Sequence, residues 1–105
     1  MSRVMDVSKA TGLSSQITDW LRTEVARFPE VRAACLFGSR ARGDYSPQSD
    51  IDIAIDAPQM SPQRFAQLWS AIDGLPIAFV LDCLWVQALP DSPLKSHIAR
   101  DARVL

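Results

Sequence analysis

Hydrophobic and polar positions alternate most strictly between residues 49 and 56, where Ile51, Ile53 and Ile55 are separated by Asp52 and Ala54 and preceded by Asp50. Strict alternation built on β-branched residues predicts a strand with its isoleucines toward a core and Asp50 and Asp52 on the opposite face. Residues 31–37, Val-Arg-Ala-Ala-Cys-Leu-Phe, form a largely apolar run of strand length, expected to be buried on both faces. Residues 77–86 form another, broken by one charge, Asp82. Alternation there groups Asp82 with Ala78 and Val80, opposite Ile77, Phe79 and Leu81.

Elsewhere the apolar spacing is helical. Ile17, Trp20, Leu21, Val25 and Phe28 follow a Ser14 or Ser15 N-cap and stop at Pro29. Phe65, Leu68, Trp69 and Ile72 follow Ser61-Pro62, with proline at the first helical position, and stop at Gly74 and Pro76. Ser92-Pro93 opens a last helix with Leu94 and Ile98 expected inward. Residues 1–13 read as a loose lead-in with room for an initial helical turn, and 102–105 either extend the last helix or add a short edge strand.

Composition narrows the class. A chain of 105 residues, 48% hydrophobic and with a net charge of −1, predicts one soluble domain with a single core, and argues against a disordered tail or a strongly basic nucleic-acid binder. No apolar run approaches membrane-span length, and the opening Met-Ser-Arg-Val-Met-Asp has no secretory apolar region. Cys35 and Cys83 each fall inside an apolar run and read as buried thiols of a cytoplasmic protein. One histidine and two separated cysteines do not make a zinc site, and His97 reads as a helix-surface residue.

The chemistry concentrates between residues 37 and 56. Asp50 and Asp52 sit about 6.5–7 Å apart at Cα on an extended strand. Their repulsion is relieved either by solvent or by a hard divalent cation such as Mg²⁺, which suits oxygen donors at that spacing. The run 31–37 stops at Gly38-Ser39, where glycine permits close backbone approach and a hydroxyl with successive N–H groups can hold a phosphate. A helical turn beginning at Ser39 would add its N–H groups, and Arg40 and Arg42 bring positive charge. A plain turn between strands is the alternative. A phosphate cradle followed about ten residues later by a carboxylate pair suggests a nucleoside triphosphate bound through phosphates and Mg²⁺.

Gly38-Ser39-Arg40-Ala41-Arg42-Gly43, then Ser46, then Ser49-Asp50-Ile51-Asp52-Ile53, resembles the signature of the DNA polymerase β-like nucleotidyltransferase superfamily, and most of all its minimal (MNT) members. The resemblance implies an α/β (α+β) fold, a small mixed β-sheet flanked by helices, with residues 1–105 as a single minimal nucleotidyltransferase domain. It implies that Gly38, Ser39, Arg40, Arg42 and Ser49 bind the nucleotide. It also implies that Asp50 and Asp52 hold Mg²⁺, with a third carboxylate on a neighbouring strand. Asp82, the only acid in an apolar strand after residue 56, is that candidate, provided its face is the face of Asp50 and Asp52.

Two Mg²⁺ ions and ATP as substrate follow from the same resemblance, with transfer of AMP to a hydroxyl and release of pyrophosphate. Larger members carry acceptor-binding domains for which this chain has no room. Minimal members pair with an all-helical HEPN protein, a ribonuclease toxin, and act as its antitoxin by adenylylating a tyrosine. The resemblance therefore implies a cytoplasmic hetero-oligomer with a HEPN partner and no direct nucleic-acid or membrane contact. Two alternatives stay open: a small-molecule acceptor of antibiotic type, and a catalytically silent subunit that masks a helical partner by contact alone.

Overall fold

The computed structural model describes residues 11–105. Strands β1 (Ala33–Phe37), β2 (Ile51–Asp56), β3 (Leu81–Trp85) and β4 (Arg103–Val104) form one mixed sheet in the order β3-β2-β1-β4. β1 runs antiparallel to β2 and to β4, while β2 and β3 are parallel. The helices are α1 (Ser15–Ala26), the single turn α2 (Ser39–Arg42) between β1 and β2, α3 (Pro62–Asp73) and α4 (Pro93–Asp101). A parallel pair needs a long crossover, and α3 supplies it between β2 and β3.

The three longer helices begin where the serine signals place them. The Ser14 hydroxyl accepts from the Ile17 N–H at 3.2 Å, Ser61 from Arg64 at 3.1 Å and Ser92 from Lys95 at 3.4 Å. Each satisfies a backbone donor that the first helical turn leaves unpaired. Pro62 and Pro93 occupy first-turn positions that need no donor.

The sheet has two unequal faces. Ile51, Ile53 and Ile55 are fully buried, and with Leu36 and Cys83 they pack against Leu21 and Val25 of α1 and Leu68 and Ile72 of α3. The opposite face is covered only in part, where Ile98 of α4 seals Phe37 and Ala54. Trimming Ile53 to alanine removes buried methyl groups from the middle of the central strand pair. We expect about 3 kcal/mol of lost stability, read as a lower urea midpoint with an unchanged slope.

Several expectations are corrected. The strand foreseen over 77–86 is only Leu81–Trp85, followed by a 3₁₀ turn at Val86–Ala88. β2 begins at Ile51, whose N–H donates to the Val80 carbonyl at 2.9 Å, so residues before Val80 have no neighbour to pair with, and Val80 is exposed. Leu94 is 44% exposed rather than inward, because α4 meets the sheet through Ile98. Thr11 and Leu13, foreseen in a loose lead-in, are fully buried, and residues 1–10 of that lead-in lie outside the described residues. Residues 103–104 form the edge strand. Cys83 is buried, and burial, then the Asp82 charge, pushes its thiol up to about 12; Cys35 is only half-buried. His97 lies exposed on α4. Among the described residues no helix is long and apolar enough to cross a membrane.

Candidate functional site

The strand register assembles the carboxylates. Asp52 lies opposite Phe37 on its antiparallel side and opposite Asp82 on its parallel side. Residues paired across a sheet share a face, so Asp82 and Asp52 stand side by side on the face that α4 covers only in part. Asp50 immediately precedes β2 and is exposed. Asp56, also on this face, is bound by Arg32 through Nε and Nη2 at 2.9 and 3.1 Å and by the Gln87 amide at 2.6 Å. Among the described residues no such hydrogen bond or salt bridge reaches the carboxylates of Asp50, Asp52 or Asp82. One end of the face is thus neutralised internally, and the other presents three acids that no salt bridge among the described residues reaches.

Gly38 ends β1 and caps α2 with φ 74° and ψ −154°, a backbone region that side chains other than hydrogen rarely enter. A Cβ built on it would stand 2.5 Å from Asp52 Oδ2. The turn from strand to α2 therefore lies directly against the Asp52 carboxylate, and the leading N–H groups of α2, beginning at Ser39, have no carbonyl behind them within the helix. Backbone donors without a helical partner and the Asp52 carboxylate thus meet at this point.

Burial raises the Asp52 carboxyl above its ordinary range; the charges of Asp82 and then Asp50 raise it further, and Arg42 opposes them. Asp52 therefore sits in the field of both other carboxylates and of the Arg42 guanidinium. Arg42 is 44% exposed, with Asp44 at 3.2 Å and Asp101 at 3.8 Å. Ser49 serves the loop, its hydroxyl accepting from the Ser46 N–H at 2.8 Å.

Arg40 is corrected. Expected at the phosphates, it is 1% exposed, and its guanidinium donates to the carbonyls of Thr11, Pro47 and Ser49. A group so enclosed cannot meet a ligand. The Tyr45 and Phe79 rings also lie against its guanidinium.

The nucleotidyltransferase domain family matches residues 18–101, which hold the carboxylate row, the Gly38 turn and the strands that carry them. The chain belongs to that family. A solved Sulfolobus solfataricus protein, provisionally named a nucleotidyltransferase, superimposes with a TM-score of 0.57 at 19% identity, over 99% of this chain and 89% of that one. This likeness shows that the nucleotidyltransferase domain here has the same α+β fold. No match is found among curated proteins.

A nucleotidyltransferase domain implies a divalent cation and a nucleoside triphosphate. The donor set fits a hard cation in kind: Asp50, Asp52 and Asp82 offer only carboxylate oxygens, and the charges of the other two act on Asp52. Among the described residues no three acidic, histidine or cysteine side chains have converged into a ready-made metal cluster. Unscreened carboxylates repel, and Mg²⁺ is commonly held by few protein oxygens together with phosphate and water.

Proposed function

We propose that this chain transfers a nucleoside monophosphate, AMP from ATP, to a hydroxyl, with Asp50, Asp52 and Asp82 as the carboxylates that hold Mg²⁺. The observation that carries the reading is the register pairing of Asp52 with Asp82, beside the Gly38 turn and away from any salt-bridge partner. In this reading the Ser39 hydroxyl and the backbone donors that follow Gly38 grip the triphosphate, and Arg42 adds charge at its edge. The acceptor oxygen bonds to the α-phosphorus, the bond from that phosphorus to the β-bridging oxygen breaks, pyrophosphate leaves and the hydroxyl proton passes to solvent or a carboxylate. Bound divalent cations would neutralise charge on the α-phosphate and the departing pyrophosphate and lower the pKa of the attacking hydroxyl. The residues of this chain set the geometry: Gly38, lacking a Cβ, lets the turn lie against the Asp52 carboxylate, and Phe37 closes the row on the β1 side.

The acceptor in this proposal is a tyrosine of a HEPN ribonuclease toxin, and the chain is its antitoxin in a cytoplasmic hetero-oligomer. The support is the signature of the minimal family in residues 38–53. The test is transfer of α-phosphate label from ATP, with Mg²⁺, to the helical protein encoded beside this gene. We expect label on a tyrosine of that protein and none with an Asp50→Ala/Asp52→Ala double variant. A stable complex that neutralises the partner without label would instead identify a subunit acting by contact alone.

A further inference from the structure

We propose that Arg40 is a positioning residue that fixes Asp50 relative to Asp52 and Asp82, and that its buried guanidinium is the brace on which the carboxylate site depends. The inference rests on the nucleotidyl-transfer reading for its purpose, and on the contacts alone for its mechanics.

Arg40 ranks among the largest fully buried side chains of the protein. Its Nε and Nη2 both donate to the Ser49 carbonyl, at 3.1 and 3.0 Å, and Nη2 also reaches Pro47 at 3.4 Å. Nη1 donates to the Thr11 carbonyl at 2.8 Å. The guanidinium carbon lies 5.0 Å from the Tyr45 ring centre and 4.8 Å from that of Phe79. A buried cation of this kind persists only where its donors are met and its charge is stabilised, and carbonyls and ring faces do both.

The placement of those partners matters more than their number. The Ser49 carbonyl belongs to the peptide plane that ends at the Asp50 nitrogen and Cα. Because that plane is rigid, fixing its oxygen fixes the direction in which Asp50 leaves it. Phe79 lies three residues before Asp82, just ahead of β3. Arg40 itself lies two residues after Gly38, whose Cα abuts Asp52. One side chain thus joins the segments that introduce all three acids. Thr11 and Gly12 close the brace from the far side: a Cβ on Gly12 would overlap the Tyr45 ring and the Arg40 guanidinium. Lysine keeps the charge but offers a point donor in place of the planar fork, so it cannot hold Ser49 and Thr11 together.

The experiment compares wild type, Arg40→Met and Arg40→Lys in two readouts. The first is amide hydrogen exchange of the free protein. Both variants lose protection over residues 45–50 while β1 and the core of β2 keep theirs. The second is Mn²⁺ affinity, by electron paramagnetic resonance, with an α,β-methylene ATP analogue present. Both variants bind Mn²⁺ about tenfold more weakly, the size expected when a supporting contact behind a metal ligand is lost. Lysine does not restore it.

Unchanged Mn²⁺ affinity in a folded Arg40→Met protein overturns the proposal. So does loss of protection spread evenly over the whole sheet, which would make Arg40 a general stability residue. Rescue by lysine, with weaker binding of the analogue even without metal, would return Arg40 to a phosphate role and overturn it as well. If wild type takes up neither Mn²⁺ nor the analogue, the nucleotidyl-transfer reading fails instead. The exchange pattern then decides the brace alone: selective loss over 45–50 supports it, and unchanged protection there overturns it.

Discussion

Asp52→Asn lowers nucleotidyl transfer by about a thousandfold, and at the same time makes the metal-free protein more stable. The first effect follows from the position of Asp52 at the centre of the row, between Phe37 and Asp82 and against Gly38. A carboxylate that holds the cation supports several kcal/mol of charge stabilisation in the transition state, and about 4 kcal/mol corresponds to roughly a thousandfold. The second effect follows from the charges. Burial, Asp82 and Asp50 all hold the Asp52 carboxyl above its usual range. Its folded pKa exceeds its unfolded one, so the ionised form destabilises the fold at neutral pH. That penalty disappears as pH falls through the raised folded pKa, where the folded state takes up the proton first.

Asparagine removes the penalty at every pH. At neutral pH in EDTA the variant is expected to gain about 0.5–1 kcal/mol, the scale of a partly solvated charge interaction. Its stability should rise less than that of wild type as the pH is lowered below neutral. Urea titrations across that window, with and without Mg²⁺, check both signs. A variant that is less stable in EDTA than wild type would show that Asp52 makes a favourable contact instead.

Gly38→Ala is the second large effect, and it attacks the same point from the backbone. At φ 74° and ψ −154° an alanine carries a backbone strain of about 1–3 kcal/mol. Its Cβ would also stand 2.5 Å from Asp52 Oδ2, so either the turn or the carboxylate must move. Transfer should fall by a hundredfold or more, since displacements of about 1 Å in a reacting geometry have that consequence. Gly43→Ala is the matched control. Gly43 also has positive φ, 93°, but a Cβ there meets nothing within 4 Å. Both variants should lose stability by thermal melting, Gly38→Ala the more because of its clash, whereas only Gly38→Ala should lose transfer. Equal activity losses would place the effect of Gly38 in strain rather than in its contact with Asp52.

Most of the scaffold was legible because its signals are local. Serine-proline starts, helical stripes and the isoleucine alternation each depend on neighbours a few residues away, and the helices and β2 lie where those signals put them. The face shared by Asp52 and Asp82 was legible as a condition that parity within each strand imposes, and the parallel register meets it. What local signals cannot carry is pairing. The strand at 77–86 was read too long because its ends depend on where β2 begins. Arg40 was read as a nucleotide-binding cation because a charged residue in a loop motif gives no local sign of burial. Its partners at Thr11 and Phe79 come from distant segments. Thr18 was passed over in α1 although it lies at helical spacing with Leu21 and Val25; its hydroxyl satisfies itself on the Ser14 carbonyl at 3.1 Å, which lets a polar residue join the buried face.

The central claim is that the open end of this sheet face is where nucleotide and metal meet. The most direct test is nuclear magnetic resonance of the labelled chain with Mn²⁺ and the α,β-methylene ATP analogue, since the unpaired electrons of Mn²⁺ broaden only nearby amides. The account predicts the strongest broadening at Phe37, Gly38, Ser39, Asp50, Asp52 and Asp82, abolished in the Asp50→Ala/Asp52→Ala variant, and weaker broadening toward the Arg32, Asp56 and Gln87 end. Broadening centred elsewhere on the fold, or persisting unchanged in the double variant, would contradict it.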